Sequence, residues 1–312
     1  MNRSLVTAIV EHHDPGSTVT SVERTAAGHR PTAVVRFAAR SPLVVQLSDD
    51  IERVRTEAAL VEAVRTHTEV PVPATRSTGR LRDRSYAITE FRPGRNLHAA
   101  FVDLSPDRRR TVTRQFGRFL GQLHAAFAFD GYGQLVRPTD GDGLVAPEAT
   151  RGRWLTRYGR RAVDRLPAPF DALRTRLRAC LDRPTDRTVT PRLFPWDLRP
   201  GNALLSGGSV SAVLDWERPM AAPPALALAK TEYLVADWYV DEPAPLRRAV
   251  RVGYDSVRLP PAVRPVHLVV AIADSAVDSA GVVTNPGYPE RDPAASVAFH
   301  RSALRAALAD AV

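Results

Sequence analysis

The chain has 312 residues, 44% of them hydrophobic and 25% charged, with 43 Lys plus Arg against 34 Asp plus Glu and a formal net charge of +9. Those proportions fit an ordinary globular protein large enough for one domain or a two-lobed unit, and they give no ground for reading the chain as disordered. A single cysteine, Cys180, excludes an internal disulfide and a thiolate metal cage, and its place between Leu177 and Leu181 marks it as packing. No apolar run approaches a membrane span and the N-terminus lacks a signal-like stretch, so a cytoplasmic protein without membrane contact is expected. The positive charge comes almost wholly from arginines spread among acids, with Lys230 the lone lysine and no zinc or RNA-binding motif. A nucleic-acid partner is therefore not expected, whereas an anionic nucleotide suits the basic surface.

In chain order, residues 32–38 and 42–47 are β-branched apolar runs joined by three residues, which predicts a hairpin. From Asp50 to Thr66 the residues Val54, Ala58, Val61 and Val64 recur at spacings of three and four, which predicts a helix. After Pro71-Val72-Pro73, residues 85–91 read as a strand that Arg92-Pro93-Gly94-Arg95 breaks, and the break is the expected lobe boundary. Ser105 followed by Pro106 is a helix start, and Val112, Phe116, Phe119, Leu120 and Leu123 form the stripe behind it, with His124 read as a core residue. Asp140-Gly141-Asp142-Gly143 lacks the spaced ligands of a calcium loop, and His12-His13 has no ligand cluster beside it. Residues 154–180 read as helix in pieces around Pro167 and Pro169, and helices with proline breaks follow Pro223-Pro224.

Two acidic motifs lie eighteen positions apart, Phe194-Pro195-Trp196-Asp197-Leu198-Arg199-Pro200-Gly201-Asn202 and Val213-Leu214-Asp215-Trp216-Glu217. Between them, Ala203-Leu204-Leu205 and Val210 to Leu214 flank a Gly207-Gly208 turn, a hairpin that folds Asp215 back toward Asp197 and Asn202. Asp197 to Asn202 has the D-x-x-x-x-N spacing by which a kinase catalytic loop sets a base and a metal ligand, and Asp215 falls where a second metal-binding aspartate belongs. Hard oxygen donors of this kind suit Mg²⁺ bridging the phosphates of ATP.

These residues resemble the aminoglycoside phosphotransferase and choline kinase branch of the protein-kinase-like fold. Pro195 to Asn202 is similar to that family's histidine-glycine-aspartate-leucine-x-proline-glycine-asparagine motif, and its aspartate-tryptophan-glutamate motif stands at Asp215-Trp216-Glu217. Val70 to Pro73, the segment from Glu90 to Gly94, and Leu120 to His124 keep the family's order, so the resemblance spans about residues 20–240. It implies an α+β, two-lobed fold, with a β-rich N-lobe over residues 1–92 and a mainly helical C-lobe over residues 93–312. It further implies Asp197 as the catalytic base toward a small-molecule hydroxyl, Asn202 and Asp215 as metal ligands, and Glu90, Phe91 and Arg92 as the hinge that meets adenine.

Three positions depart from the pattern. The strand lysine that steadies the nucleotide phosphates falls at Gln46, which leaves Glu57, its helix partner, without a lysine, with Arg36 on the neighbouring strand as a substitute. Pro195 and Trp196 stand for the histidine and glycine before the base, and Ala227 stands where a supporting aspartate is expected. Two functions follow: a phosphotransferase moving the γ-phosphoryl of ATP to a small-molecule hydroxyl, or a pseudokinase-like binding module acting through a partner.

Overall fold

The structure, a computed structural model, describes residues 2–25, 30–138, 143–147, 153–183 and 189–309. Gly28, Asp140 to Asp142 and Arg151-Gly152 lie outside the described residues.

The N-terminal part is a five-stranded antiparallel sheet in the order β1-β2-β3-β5-β4, built from β1 (Val19–Arg24), β2 (Thr32–Phe37), β3 (Leu43–Ser48), β4 (Thr75–Leu81) and β5 (Arg84–Glu90). The β2-β3 hairpin forms as its sequence predicts, with Thr32 opposite Gln46 and Val34 opposite Val44. Alternation then sorts the faces. Ala33, Val35, Leu43, Val45, Leu47, Tyr86 and Ile88 point one way and bury against Val6, Ile9 and Val10 of α1 (Arg3–His13). The opposite face carries Val44, Gln46, Ala87 and Thr89.

The segment holding His12 and His13 is thus a docked helix. Val6, Ile9 and Val10 form an i, i+3, i+4 stripe that covers one face of the sheet, and each buried side chain is worth about 1.5–3 kcal/mol. Helix α2 (Ile51–His67) starts where expected because Asp50 caps it, accepting from the amides of Glu52 and Arg53 at 3.0 Å each. That cap fixes the phase of the helix and so sends Arg53 and Glu57 off one face.

The larger part is mainly helical. After β6 (Arg95–Asn96) and α3 (Leu97–Phe101), α4 (Pro106–Ala126) begins with Ser105 as its N-cap and Pro106 in its first turn. Two small sheets follow: β7 (Gly133–Gln134), β11 (Met220–Ala222) and β8 (Arg192–Phe194) in that order, and β10 (Ser209–Val213), β9 (Ala203–Ser206) and β6. The remaining helices are α5 (Trp154–Arg165), α6 (Asp171–Leu181), α7 (Pro224–Glu232), α8 (Ala244–Asp255), α9 (Pro265–Ser275) and α10 (Pro293–Ala309). A turn of π-helix, Tyr233–Asp237, continues α7.

Cys180 is buried and free, as its apolar neighbours require. His124 is fully buried, with Nδ1 2.8 Å from the Tyr254 hydroxyl. Helices α4 and α8 cross at backbone contact: a Cβ at Gly117 would lie 1.9 Å from the Val250 carbonyl oxygen, and one at Gly253 would lie 2.0 Å from that of Arg114. Leu60, Val61 and Val64 of α2 join the apolar core of the helical part, which fixes α2 against it. Among the described residues no helix is long and apolar enough to cross a membrane.

Candidate active site

Strand β8 ends at Phe194, and the chain then turns on Trp196, whose φ of 58° lets the Asp197 amide donate to the Pro195 carbonyl at 2.7 Å. A single 3₁₀ turn, Pro200–Asn202, delivers Asn202 to the start of β9. The β9-β10 hairpin closes on Gly207 and Gly208, both with positive φ, as a two-residue turn demands. Its register places Ala203 opposite Val213, and the Leu214 amide donates to the Asn202 carbonyl at 2.7 Å. Asp215 is the next residue, so the hairpin brings the two motifs together as the sequence implied. Of the four non-glycine residues with positive φ among the described residues, Trp196, Asp215 and Arg218 lie here, a concentration of backbone strain worth about 1–3 kcal/mol apiece.

The donor set suits a hard cation. Asn202 donates from Nδ2 to the Asp197 carbonyl at 3.1 Å, which orients the amide and leaves Oδ1 for a metal. Asp215 is exposed to solvent, with protein groups packed around its base. Their desolvation, with the nearby Glu217 and Asp197 carboxylates, pushes its pKa up to about 6, against the opposing pull of Arg30 and Arg199. Crowded carboxylates of this kind favour a bound cation. Among the described residues no three His, Cys, Asp or Glu side chains converge into a metal cage. Phosphate oxygens and water would have to complete the shell, as is usual for Mg²⁺.

Asp197 is partly exposed and is flanked by two cations, Lys230 Nζ at 3.2 Å and Arg199 Nε at 3.7 Å. Lys230, remote in sequence, is therefore part of this site, and it also donates to Asp274 of α9 at 2.6 Å.

Glu57, which has no lysine on β3 to pair with, has arginine partners instead. Arg30 binds Glu57 in a bidentate pair, Nη1 lying 2.5 Å from Oε2 with Nη2 donating to Oε1. Its Nε lies 3.1 Å from Glu217. Arg53 completes a four-residue cluster, 3.1 Å from Glu57 and 2.7 Å from Glu217. Arg36, the substitute expected from sequence, pairs instead with Glu23 at 2.9 Å on an exposed edge, because it lies six residues further along the chain from Arg30. The signal for Arg30 was present in the hairpin register. Thr32 faces Gln46, and the ladder runs on with the Leu47 amide donating to the Pro31 carbonyl at 3.0 Å. A residue two before Thr32 shares the face of Gln46 as its diagonal neighbour.

Gln46 itself is partly buried, and among the described residues its side chain makes no hydrogen bond. Glu90 ends β5, pairing in register with Leu43, and its amide donates to the Ala74 carbonyl at 3.0 Å. Its carboxylate is occupied by Arg92, by Arg76 at 3.2 Å and by Arg65 at 3.8 Å. The Phe91 amide donates to the Pro42 carbonyl at 3.4 Å, with the Arg36 guanidinium 5.9 Å from the Phe91 ring centroid. Trp238 and Tyr239 are buried, and Tyr239 meets His98 Nδ1 through its hydroxyl at 2.6 Å.

A small sheet with a cap-fixed helix, joined to a helical part that carries Asp197, Asn202 and Asp215 on one hairpin, defines a two-lobed protein of kinase-like fold. Residues 14–266 match the sequence profile of the phosphotransferase enzyme family, and the chain belongs to that family. No curated protein sequence matches it. One similar solved structure is a thermostable mutant of aminoglycoside phosphotransferase APH(4)-Ia in ternary complex with AMP-PNP and hygromycin B. It is 14% identical, with a TM-score of 0.66 over 98% of this chain and 99% of that one. Another is the apoenzyme of the macrolide 2'-phosphotransferase MphH from Brachybacterium faecium, 20% identical with a TM-score of 0.64 over 98% of both chains.

Proposed function

We propose that the protein is a cytoplasmic, ATP-dependent phosphotransferase that moves the γ-phosphoryl group to a hydroxyl of a small molecule. The observation that carries this reading is the Arg30–Glu57 pair, which puts a fixed cation beside Asp215 and Glu217 although position 46 is a glutamine. Arg30 has five N–H groups, and the ion pairs to Glu57 and Glu217 engage three of them. Two remain without a partner among the described residues and suit phosphate oxygens, so Arg30 can hold Glu57 and the nucleotide together. Nucleotide complexes of a neighbour of the same fold support an ATP site here.

In this reading the N-lobe ends near residue 92, and the hinge from Glu90 to Arg92 meets adenine through its backbone, since the Glu90 carboxylate is already paired. Gln46 lines the phosphate side without contributing charge. Asn202 and Asp215 hold Mg²⁺, which when bound offsets charge on the phosphate oxygens. Asp197 orients the acceptor hydroxyl and takes its proton. The acceptor oxygen forms a bond to the γ-phosphorus as the bond from that phosphorus to the β–γ bridging oxygen breaks, and ADP leaves with the bonding pair. Arg199, 3.7 Å from Asp197, is placed to neutralise the transferring group. Catalysis then rests on positioning and fixed charge.

Calorimetric titration with ATP, with and without Mg²⁺, tests this. Binding that requires Mg²⁺ and is lost in Asp215→Ala supports the nucleotide site, and acceptor screening by ADP release then follows. The second reading, a pseudokinase-like module, is favoured by Gln46 alone and predicts no turnover for Asp197→Ala to abolish.

A further inference from the structure

The family's usual support for the catalytic loop is absent from the sequence, yet the loop is held. Trp196 takes a left-handed φ of 58° where the family has glycine, a conformation costly for a bulky side chain. Its indole compensates by donating from Nε1 to Asp274 at 3.0 Å and to the Tyr158 hydroxyl at 3.1 Å. Lys230 Nζ lies 4.7 Å from the centroid of the same ring and 5.6 Å from that of Phe194. Asp274, 6% exposed, receives Lys230 at 2.6 Å, Tyr158 at 2.9 Å and Arg165 at 2.9 Å. Lys230, 2% exposed, has its charge divided between that carboxylate and Asp197. It stands one helical turn beyond Ala227 on α7, the position where the supporting aspartate was expected.

We propose that Lys230 is the positioning residue of the catalytic loop: its ammonium ties the Asp197 carboxylate to Asp274 of α9 and seats Trp196 in its strained turn. A near-fully buried lysine between two carboxylates needs both of them, and of the two only Asp197 is partly exposed to solvent. Lys230 touches no reacting atom; it sets where the base points. This rests on the phosphotransferase reading and deepens it.

The test uses Lys230→Met, Asp274→Asn and the double variant in the full chain, reading MgATP affinity, thermal stability and MgATP hydrolysis with water as the acceptor. Lys230→Met leaves Asp274 short of its nearest cation and is expected to lower stability, whereas the double variant removes both charges and recovers it. For a positioning role, the double variant stays at least about tenfold slower in hydrolysis while binding MgATP within about twofold of wild type. If hydrolysis returns together with stability, Lys230 is a structural residue and the inference is overturned. If wild type binds MgATP without turnover, no reaction exists for Lys230 to serve and the inference is overturned while the nucleotide site stands. If wild type binds no MgATP, the phosphotransferase reading is overturned and the inference falls with it.

Discussion

Replacing Arg30 with methionine removes the guanidinium while keeping an unbranched side chain that can fill part of its space. Arg30 and Glu57 are 15% and 13% exposed, and breaking a pair at the buried limit costs about 3–5 kcal/mol. Arg53 stays 3.1 Å from Glu57 and 2.7 Å from Glu217, so neither carboxylate loses its last cation. The stability loss should therefore be only about 1.5–3 kcal/mol, at the level of a hydrogen bond to a charged group. The functional loss should be larger, because a preorganised cation aimed at phosphate oxygens resembles a lost oxyanion donor and costs about 10²–10³ in rate. Urea unfolding gives the first quantity, and calorimetry with ATP hydrolysis gives the second. Adding Gln46→Lys to Arg30→Met should restore part of the affinity, since position 46 faces Thr32 and lies diagonal to position 30. MgATP affinity and turnover of Arg30→Met both within twofold of wild type would refute the assignment of Arg30 as the displaced phosphate cation.

Other expectations follow from the same structure. Burial holds His124 at about 3, and His267 and His300 at about 4, all below the ordinary 6.5. The unfolded chain therefore binds more protons than the folded one between those values, so their contribution is intact above about pH 6.5 and is lost as pH falls toward 4. By pH 5 the loss is roughly 2 kcal/mol per histidine, which urea midpoints measured from pH 7 to 5 should show. Asp215, raised to about 6, acts in the opposite sense, because its charged form is disfavoured in the fold. Asp215→Asn should accordingly raise the melting temperature at pH 7.5 and change it little at pH 4. Gly117→Ala should cost about 3 kcal/mol or more, because its Cβ meets the Val250 carbonyl at 1.9 Å and neither helix backbone can yield cheaply; a thermal midpoint equal to wild type would contradict that crossing.

What could be seen in the sequence was whatever is encoded locally. The β2-β3 hairpin, the capped starts of α2 and α4 and the glycine turn between β9 and β10 all carry their signals within a dozen residues. The same locality made Asp197, Asn202 and Asp215 readable as one site, since a single hairpin joins them. Arg30 escaped notice because its role comes from a register, not a motif, and Glu57 is 27 residues away. Lys230 and Asp274 are 44 residues apart on helices whose packing no local pattern specifies, so their pairing had no signature. Helix α1 was the avoidable omission, because the Val6, Ile9 and Val10 stripe was there to count.

Trp196 also bears on the order in which such a site can change. Glycine at that position would relieve its φ of 58° but would remove both the Nε1 donor to Asp274 and the ring beneath Lys230. Aspartate at position 227 would add a carboxylate one turn from a lysine already shared by two. Either exchange made alone would thus disturb a partner that is already engaged. Trp196, Lys230 and Asp274 therefore behave as one unit with the Trp196 backbone angle, and exchanging one of them alone should cost more than exchanging them together.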